Sequence, residues 1–221
     1  MTFSILARDP ETGALGGAAA TGSLCVGGWV LRGALDAGLS ASQGAAPSTF
    51  WGEDVLTEMR NGTDAATAIQ RTTNADTGRA YRQLAALDLS GNGAAFTGTA
   101  NTREMGSHAF ANGIAAGNML TGTGVLAALS DTYLATTGPI ALRLLAALRA
   151  AEAAGGDSRG LFSAALLILH PDHPPLSLRV DYHEHDPITA LTTLHEHATT
   201  GDYAAWTRQV PVANDKTRVL D

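Results

Sequence analysis

Two charged side chains on a glycine-rich segment offer the clearest chemistry in this sequence. Asp157 and Arg159 lie within Gly155-Gly156-Asp157-Ser158-Arg159-Gly160, just before an apolar run. Because a guanidinium matches a carboxylate with two parallel hydrogen bonds, Arg159 is predicted to hold a substrate carboxylate, with Asp157 orienting it or binding an amine. The alternative is an Asp–Arg pair that braces the loop internally. Both interpretations predict an ordered pair.

Cysteine and histidine could supply nucleophilic or metal chemistry. Cys25 is the single cysteine, so a disulfide within one chain is excluded. Its thiolate could act as a nucleophile if stabilised, but no histidine lies near it in sequence, and a small buried thiol is the favoured interpretation. Four histidines lack the spacing of a metal site, which favours surface histidines over a zinc hydrolase: His183, His185, His195 and His197.

Charge and composition exclude several classes of function. Twenty-one acidic residues against fourteen basic ones give a net charge of −7, and no basic cluster exceeds a pair, so nucleic acid is not an expected partner. The chain shows neither a signal sequence nor an apolar run of about eighteen residues, which predicts a cytoplasmic protein without a membrane partner. Its glycine-rich stretches lack the lysine of a nucleotide loop, so no cofactor is expected.

The elements that must position these residues begin with a hairpin. Residues 2–8 and 14–21 flank the turn residues 9–13 and predict two paired strands. Short extended segments follow at residues 29–31 and 39–43. Small side chains dominate these strands, which is typical of sheets packed closely on both faces.

The middle of the chain turns helical and then returns to strands. Residues 55–59 carry one helical face, and Thr63-Asp64 caps a second helix with Ala66 and Ile69 on its apolar side. Ser90-Gly91-Asn92-Gly93 is a strong hairpin turn because Asn-Gly tolerates positive φ. The strands that it joins are predicted at residues 82–89 and 94–97.

The second half is predicted to repeat this order. An extended segment, two helices, two antiparallel strands and a last helix are expected at residues 113–118, 124–136, 139–154, 161–169, 176–180 and 186–194. The polar stretch from residue 199 to 221 has no sustained period, so residues 1–198 are predicted to form one domain followed by a C-terminal arm. The order of elements suits an α+β fold of two stacked, mainly antiparallel sheets with helices on both outer faces.

Several segments together resemble a bacterial family known as a domain of unknown function, number ten-twenty-eight. The similarity covers roughly residues 2–197. Its segments are Thr2-Phe3-Ser4-Ile5-Leu6-Ala7-Arg8-Asp9-Pro10-Glu11-Thr12-Gly13, Tyr81-Arg82-Gln83, Ala95-Phe96-Thr97-Gly98, Ala116-Gly117-Asn118-Met119-Leu120 and Gly155-Gly156-Asp157-Ser158-Arg159-Gly160. This resemblance implies the four-layer αββα sandwich of N-terminal-nucleophile (Ntn) hydrolases, the class that includes proteasome β-subunits and penicillin acylases. Fold alone does not fix the reaction.

In that class the first residue of the mature chain is the nucleophile, and its own α-amino group removes the hydroxyl proton. The resemblance therefore implies Thr2 as nucleophile once Met1 is removed, which a small second residue permits. An α-amine with a pKa of about 8 suits this task near neutral pH. The alternative is that Thr2 is only a β-branched residue of the first strand.

Further residues are candidates for lining such a site. Ser23 and Gln43 are predicted to contact substrate, and Asn118 is predicted to donate an amide N–H to a developing oxyanion. Ordinary turn or sheet hydrogen bonds are the alternatives for Gln43 and Asn118. Lys216 is the only lysine, so Arg32 is the candidate for the cation that proteasome-like subunits place near their nucleophile.

Two functions remain open from the sequence. The first is an amidohydrolase that cleaves a small amide or peptide-like bond through an ester on Thr2. The second is a catalytically silent Ntn-like fold that binds a small ligand or serves in assembly. For either function a homodimer is the expected assembly, because two-fold dimers are the commonest closed oligomers.

Overall fold

The hairpin at the start of the sequence forms the middle of a six-stranded antiparallel sheet. The computed structural model describes residues 2–102 and 104–220. In it β1 (Thr2–Arg8) pairs with β2 (Leu15–Thr21). The Asp9 carboxylate closes the turn between them, because it accepts hydrogen bonds from the Glu11 amide at 3.1 Å and from Thr12 Oγ1 at 2.8 Å.

The remaining strands of this first sheet come from the second half of the chain. They are β7 (Gly106–Phe110), β8 (Gly113–Asn118), β9 (Ser163–His170) and β10 (His173–Val180), and the order across the sheet is β10-β9-β2-β1-β8-β7. The predicted extended segment is confirmed as β8, and β9 and β10 pair antiparallel as predicted. The edge strand β7 was not predicted, because its largely exposed residues lack an apolar alternation.

The second sheet has four antiparallel strands, in the order β3-β4-β5-β6. Their bounds are β3 (Leu31–Ala34), β4 (Gly38–Gly44), β5 (Arg82–Asp88) and β6 (Gly93–Thr97). The predicted hairpin between β5 and β6 is confirmed. Its residue with positive φ is Gly91, at 86°, and not the Asn92-Gly93 pair on which the prediction relied. Asp88 Oδ1 holds the turn by accepting from the amides of Ser90 and Asn92.

One predicted extended segment is wrong in part. Of residues 29–31, Trp29 ends the short helix α1 (Val26–Trp29), and only Leu31 belongs to a strand. Gly27 lets this helix pack closely on the first sheet, because a Cβ on Gly27 would lie 2.6 Å from Arg179 Cγ and 2.8 Å from Ala165 Cβ. The backbone can thus turn tightly against β10 where a larger residue would be excluded.

Two groups of helices cover the sheets. The longer ones are α2 (Thr49–Arg60), α3 (Ala65–Asn74), α4 (Gly124–Ala135), α5 (Ile140–Ala153) and α6 (Pro187–Thr199). Asp64 caps α3 as predicted, accepting from the Thr67 amide at 3.0 Å. The apolar face of α3 contains Ile69 with Ala65 and Ala68, whereas Ala66 is exposed, contrary to the prediction. A further helix, α7 (Gly201–Thr207), lies in the stretch predicted to be an arm, where two turns are too short to show a period.

Three hydrophobic clusters fill the spaces between the layers of sheets and helices. The central one lies between the sheets and joins Leu6 and Ala19 of the first sheet to Leu39 and Ala85 of the second. A second cluster joins the first sheet to α4, α5 and α6, and a third joins the second sheet to α2 and α3. The predicted α+β class with two antiparallel sheets is confirmed. No helix among the described residues is long and apolar enough to cross a bilayer.

We expect Leu144→Ala to lower the free energy of unfolding by about 2–5 kcal/mol, because Leu144 is fully buried between α5 and the first sheet. Leu142→Ala is the matched control, since Leu142 lies on the same helix with 46% of its surface exposed, and should change stability by less than about 0.5 kcal/mol. Chemical denaturation measures both. Equal losses would show that α5 does not dock through the Leu144 face.

Candidate functional site

A cavity of about 570 Å³ lies where β1 begins and where β2, β4 and β8 end. Thr2 enters it from the start of β1, Thr21 from the end of β2, and Gln43 from the end of β4. Met119 follows β8 directly and also lines the cavity. Antiparallel pairing therefore brings residues that are distant in sequence to one end of both sheets.

Thr2 occupies the wall of this cavity with 8% of its surface exposed. Its Oγ1 donates a hydrogen bond to Thr21 Oγ1 at 3.1 Å, and its carbonyl oxygen accepts from Gln43 Nε2 at 3.4 Å. Met1, on which the predicted processing depends, lies outside the described residues. Thr2 is thus held at the cavity wall by one side chain from each sheet, Thr21 at its hydroxyl and Gln43 at its backbone carbonyl.

Beneath the cavity, Gln83 connects the two sheets and has no exposed surface. From β5 its Nε2 donates to the carbonyl oxygens of Gly106 at 3.0 Å and Gly117 at 2.9 Å, both in the first sheet. Backbone carbonyls only accept, so the orientation of the Gln83 amide is fixed. Its Oε1 must therefore face Gln43 and Asn118, which donate to it from Nε2 at 2.7 Å and from Nδ2 at 3.2 Å.

This chain of amides determines how Gln43 presents itself. Since Nε2 of Gln43 faces Gln83 and Thr2, its Oε1 points the other way, and it has no hydrogen-bond partner among the described residues. Only 1% of the Gln43 surface is exposed, although the residue forms part of the cavity lining. A buried acceptor without a donor costs free energy, so this oxygen would gain from an N–H or O–H donor supplied by a bound molecule or by water.

Asn118 lies beside Thr2 but is turned towards the protein. Thr2 and Asn118 are directly opposed in the β1–β8 register. The Asn118 side chain donates to Gln83 and is not among the described residues that line the cavity. One N–H of its amide is thus committed to Gln83, and its role at an oxyanion stays a prediction.

Arg159 and Asp157 form the ordered pair that the sequence predicted. Asp157 is buried and accepts from Arg159 Nε at 3.3 Å and Nη2 at 3.2 Å, from the Arg159 amide at 2.8 Å and from the Gly22 amide at 2.6 Å. Arg159 and Ser23 line the cavity, and Ser23 Oγ accepts from Arg159 Nη2 at 3.3 Å. The pair therefore braces the loop against β2 and also brings a guanidinium to the cavity.

Gly22 makes this brace possible. A Cβ at Gly22 would lie 2.6 Å from the Gly160 carbonyl oxygen and 2.8 Å from Asp157 Oδ1. Only glycine leaves room for the loop to close over the end of β2. The sequence showed the glycines of the 155–160 loop but not that this loop packs against Gly22, directly after the end of β2.

Strained backbone marks the same region. Met119 and Cys25 adopt left-handed conformations with φ of 56° and 60°. Met119 lines the cavity, and Cys25 directly precedes α1, whose Val26 and Trp29 line it. Such conformations are uncommon for residues with a side chain and concentrate at functional sites.

Two sequence candidates lie elsewhere. Arg32 is on β3, where its Nη1 donates to the Leu31 carbonyl and its Nε lies 3.8 Å from Glu53, so it does not supply a cation to Thr2. Half-buried Cys25 is likewise absent from the described lining. Strand alternation placed Arg32 on the face towards α2, which the sequence alone did not reveal.

The histidines near the C-terminus do not form a metal centre in the part of the chain that the structure describes. His183 Nδ1 instead accepts from the Asp186 amide at 2.8 Å, next to the start of α6. The predicted surface position is wrong for His195, which is buried in α6, and this burial lowers the pKa of its imidazole. Its environment favours a neutral ring.

Comparison with known proteins gives both sequence and structural similarity. A model of a family of unknown function (DUF1028) matches residues 2–191. A crystal structure of a DUF1028 protein from Silicibacter pomeroyi is similar, with 63% identity and a TM-score of 0.97, covering 100% of this chain and 99% of that one. Anbu (ancestral beta-subunit) from Yersinia bercovieri shows 11% identity and a TM-score of 0.38 over 95% of this chain and 98% of its own, too little to support an argument. No curated protein shows significant similarity.

We expect Gln83→Leu to lower the free energy of unfolding by at least about 3 kcal/mol, because it leaves two carbonyls and two amide groups without their partner, at about 1–3 kcal/mol for each unpaired buried group. Gln70→Leu, the same change at an exposed position of α3, should cost less than about 0.5 kcal/mol. Urea denaturation compares the two. A Gln83→Leu protein as stable as the control would mean that the amide does not hold the sheets together.

Proposed function

Since this chain belongs to the DUF1028 family of unknown function, we propose its function from the cavity itself: hydrolysis of a small amide or peptide-like bond by an N-terminal threonine. In this proposal removal of Met1 exposes the α-amino group of Thr2. The observation that carries it is the Thr2 hydroxyl, held in the wall of the cavity at the first residue of β1. The two stacked sheets with outer helices fit the αββα sandwich of Ntn hydrolases.

The proposed reaction has two steps. The neutral α-amine of Thr2 takes the proton from Oγ1, and Oγ1 attacks the carbonyl carbon of the amide. The carbon–nitrogen bond breaks, the departing amine leaves with that proton, and an ester remains on Thr2. Water then attacks the ester, releases the acid and restores the hydroxyl.

Neighbouring groups have distinct roles in this scheme. Thr21 Oγ1, 3.1 Å from Thr2 Oγ1, holds the hydroxyl in position. Gln43 Oε1 accepts the N–H of the scissile amide. Asn118, directly opposite Thr2 in the β1–β8 register, is the proposed oxyanion donor, and this role requires the N–H that does not face Gln83 to turn towards the cavity. Arg159, with Ser23 and Asp157 behind it, contacts the part of the substrate beyond the amide.

A catalytically silent binding protein is the second candidate. The observation in its favour is that Thr2 Oγ1 already donates its hydrogen to Thr21, an arrangement that needs no free amine. The same cavity would then bind an amide-containing ligand without cleaving it. The chemical state of Thr2 separates the two candidates.

We expect the mature protein to have lost Met1 and to be acylated on Thr2 by a β-lactone probe, because a free N-terminal threonine attacks strained esters. Intact-mass measurement and peptide mapping locate the adduct. Thr2→Ala should abolish labelling, while Thr2→Ser should retain it, since serine keeps the hydroxyl.

Thr102→Ala is the matched control, because Thr102 is a cavity-wall threonine outside the proposed reaction and should not affect the adduct. Quantitative retention of Met1, together with unchanged labelling of Thr2→Ala, would contradict the hydrolase and favour the binding protein.

The pH dependence of labelling gives a second test. Only the neutral α-amine accepts the hydroxyl proton, so the rate should rise with pH through the pKa of that amine, at about 8. A stopped-assay rate profile of adduct formation measures it. A rate that does not change between about pH 7 and 9 would argue against the α-amine as base.

A further inference from the structure

The cavity combines one cation with an apolar wall. Among its described lining residues, Arg159 alone carries a charge. Most of the wall is apolar and is formed by Leu24, Val26, Trp29, Val30, Pro47 and Met119. The complementary ligand is therefore a small molecule with an apolar body and one anionic group.

Arg159 is built into this position by Asp157. The Asp157 side chain is fully buried, while the Arg159 side chain is 40% exposed. The Asp157 carboxylate accepts hydrogen bonds from the backbone amides of Gly22 and Arg159 as well as from the guanidinium of Arg159. Because backbone amides bind the same carboxylate, Asp157 fixes the guanidinium in place from behind the cavity wall.

The position of Arg159 relative to Thr2 gives the ligand a direction. The hydroxyl oxygens of Thr2 and Thr21 are 3.1 Å apart. Gly22 follows Thr21, and its amide donates a hydrogen bond to the Asp157 carboxylate. The guanidinium therefore lies on the β2 side of the nucleophile. Gln43, with its unpartnered Oε1, reaches Thr2 from the second sheet.

We propose that the cavity accepts N-acyl amino acids with an apolar acyl chain. The carboxylate of the amino acid binds Arg159, the amide N–H donates to Gln43 Oε1, and the acyl chain lies on the wall that includes Trp29 and Met119. Arg159 is a specificity-determining residue, and Asp157 is a positioning residue that acts through it.

Cleavage of such a ligand rests on the proposed hydrolase function, whereas its binding does not. Hydrolysis consumes one water: the acyl–nitrogen bond breaks, the acyl carbon gains the hydroxyl as a carboxylic acid, and the amino acid leaves with its amine protonated. For N-octanoylglycine the products are octanoate and glycine. Binding and cleavage can thus be measured separately.

The test compares N-octanoylglycine with N-octanoylglycinamide, which differ only in the terminal group, a carboxylate in the first and a neutral amide in the second. Isothermal titration calorimetry on the full chain should give at least about tenfold tighter binding of the acid. Arg159→Gln should abolish this preference, and Arg159→Lys should retain part of it because the charge remains. Arg71→Gln, at an exposed arginine of α3 away from the cavity, should leave both dissociation constants unchanged.

The role of Asp157 is read from the ratio of the two dissociation constants. Asp157→Asn should reduce the preference for the acid while the affinity for the glycinamide stays the same. A general loss of folded protein would weaken both ligands equally, so the ratio separates positioning of Arg159 from structural damage.

The outcomes distinguish this inference from the proposed function. Equal binding of the two ligands, no binding of either, or an acid preference that survives Arg159→Gln would overturn it. Arg159-dependent binding without release of glycine and without labelling of Thr2 would leave the carboxylate site in place and refute only the hydrolase.

Discussion

The orientation of one buried amide determines the arrangement of the cavity. Gln83 donates to two backbone carbonyls of the first sheet, and these acceptors permit only one orientation of its side chain. Gln43 and Asn118 must then offer their NH₂ groups to the remaining oxygen. The Gln43 nitrogen therefore bonds to Gln83 and Thr2, whereas its oxygen has no hydrogen-bond partner among the described residues. A single hydrogen-bonded residue thus sets both the contact between the sheets and the polarity of the ligand site.

The packing between the sheets depends on small side chains. Alanines from both sheets, among them Ala19, Ala41, Ala85 and Ala116, belong to the central cluster. Small residues allow a close approach of the two backbones, and this close approach lets a glutamine side chain reach across the gap. At the end of the sheets the strands finish, and the space that side chains no longer fill becomes the cavity.

Much of the fold could be predicted from the sequence, because its strongest signals are local. The first hairpin, the β5–β6 hairpin and the apolar face of α5 follow from alternation, turn residues and helical periodicity. The exposed edge strand β7 has no such signal. It pairs with β8 through the two-residue turn Ala111-Asn112, in which Asn112 has a φ of 59°. The local helix at Gly27, in contrast, packs against the distant residue Arg179.

The candidate site was less accessible to sequence reasoning. The Asp157–Arg159 pair is recognisable because both residues share one short loop, and four other predicted residues also lie in or beside the cavity: Thr2, Ser23, Gln43 and Asn118. The sequence analysis mentioned Gln83 only within Tyr81-Arg82-Gln83, one of the segments that resemble the family. The hydrogen-bond partners of a polar residue in a strand cannot be predicted from the sequence. Side-chain direction likewise separated Arg32 from Thr2 and turned Asn118 towards the protein.

The position of Thr2 has a practical consequence for handling the protein. Consecutive Cα atoms are about 3.8 Å apart, so a purification tag fused ahead of β1 starts within one such step of the cavity wall. Any residue ahead of Thr2 also places the α-amine of Thr2 in a peptide bond, so that the amine can no longer accept a proton. A tag at the other end follows Val219 and Leu220, which are exposed and do not line the cavity. Protein for ligand screening is therefore better produced with its affinity handle at the carboxyl end.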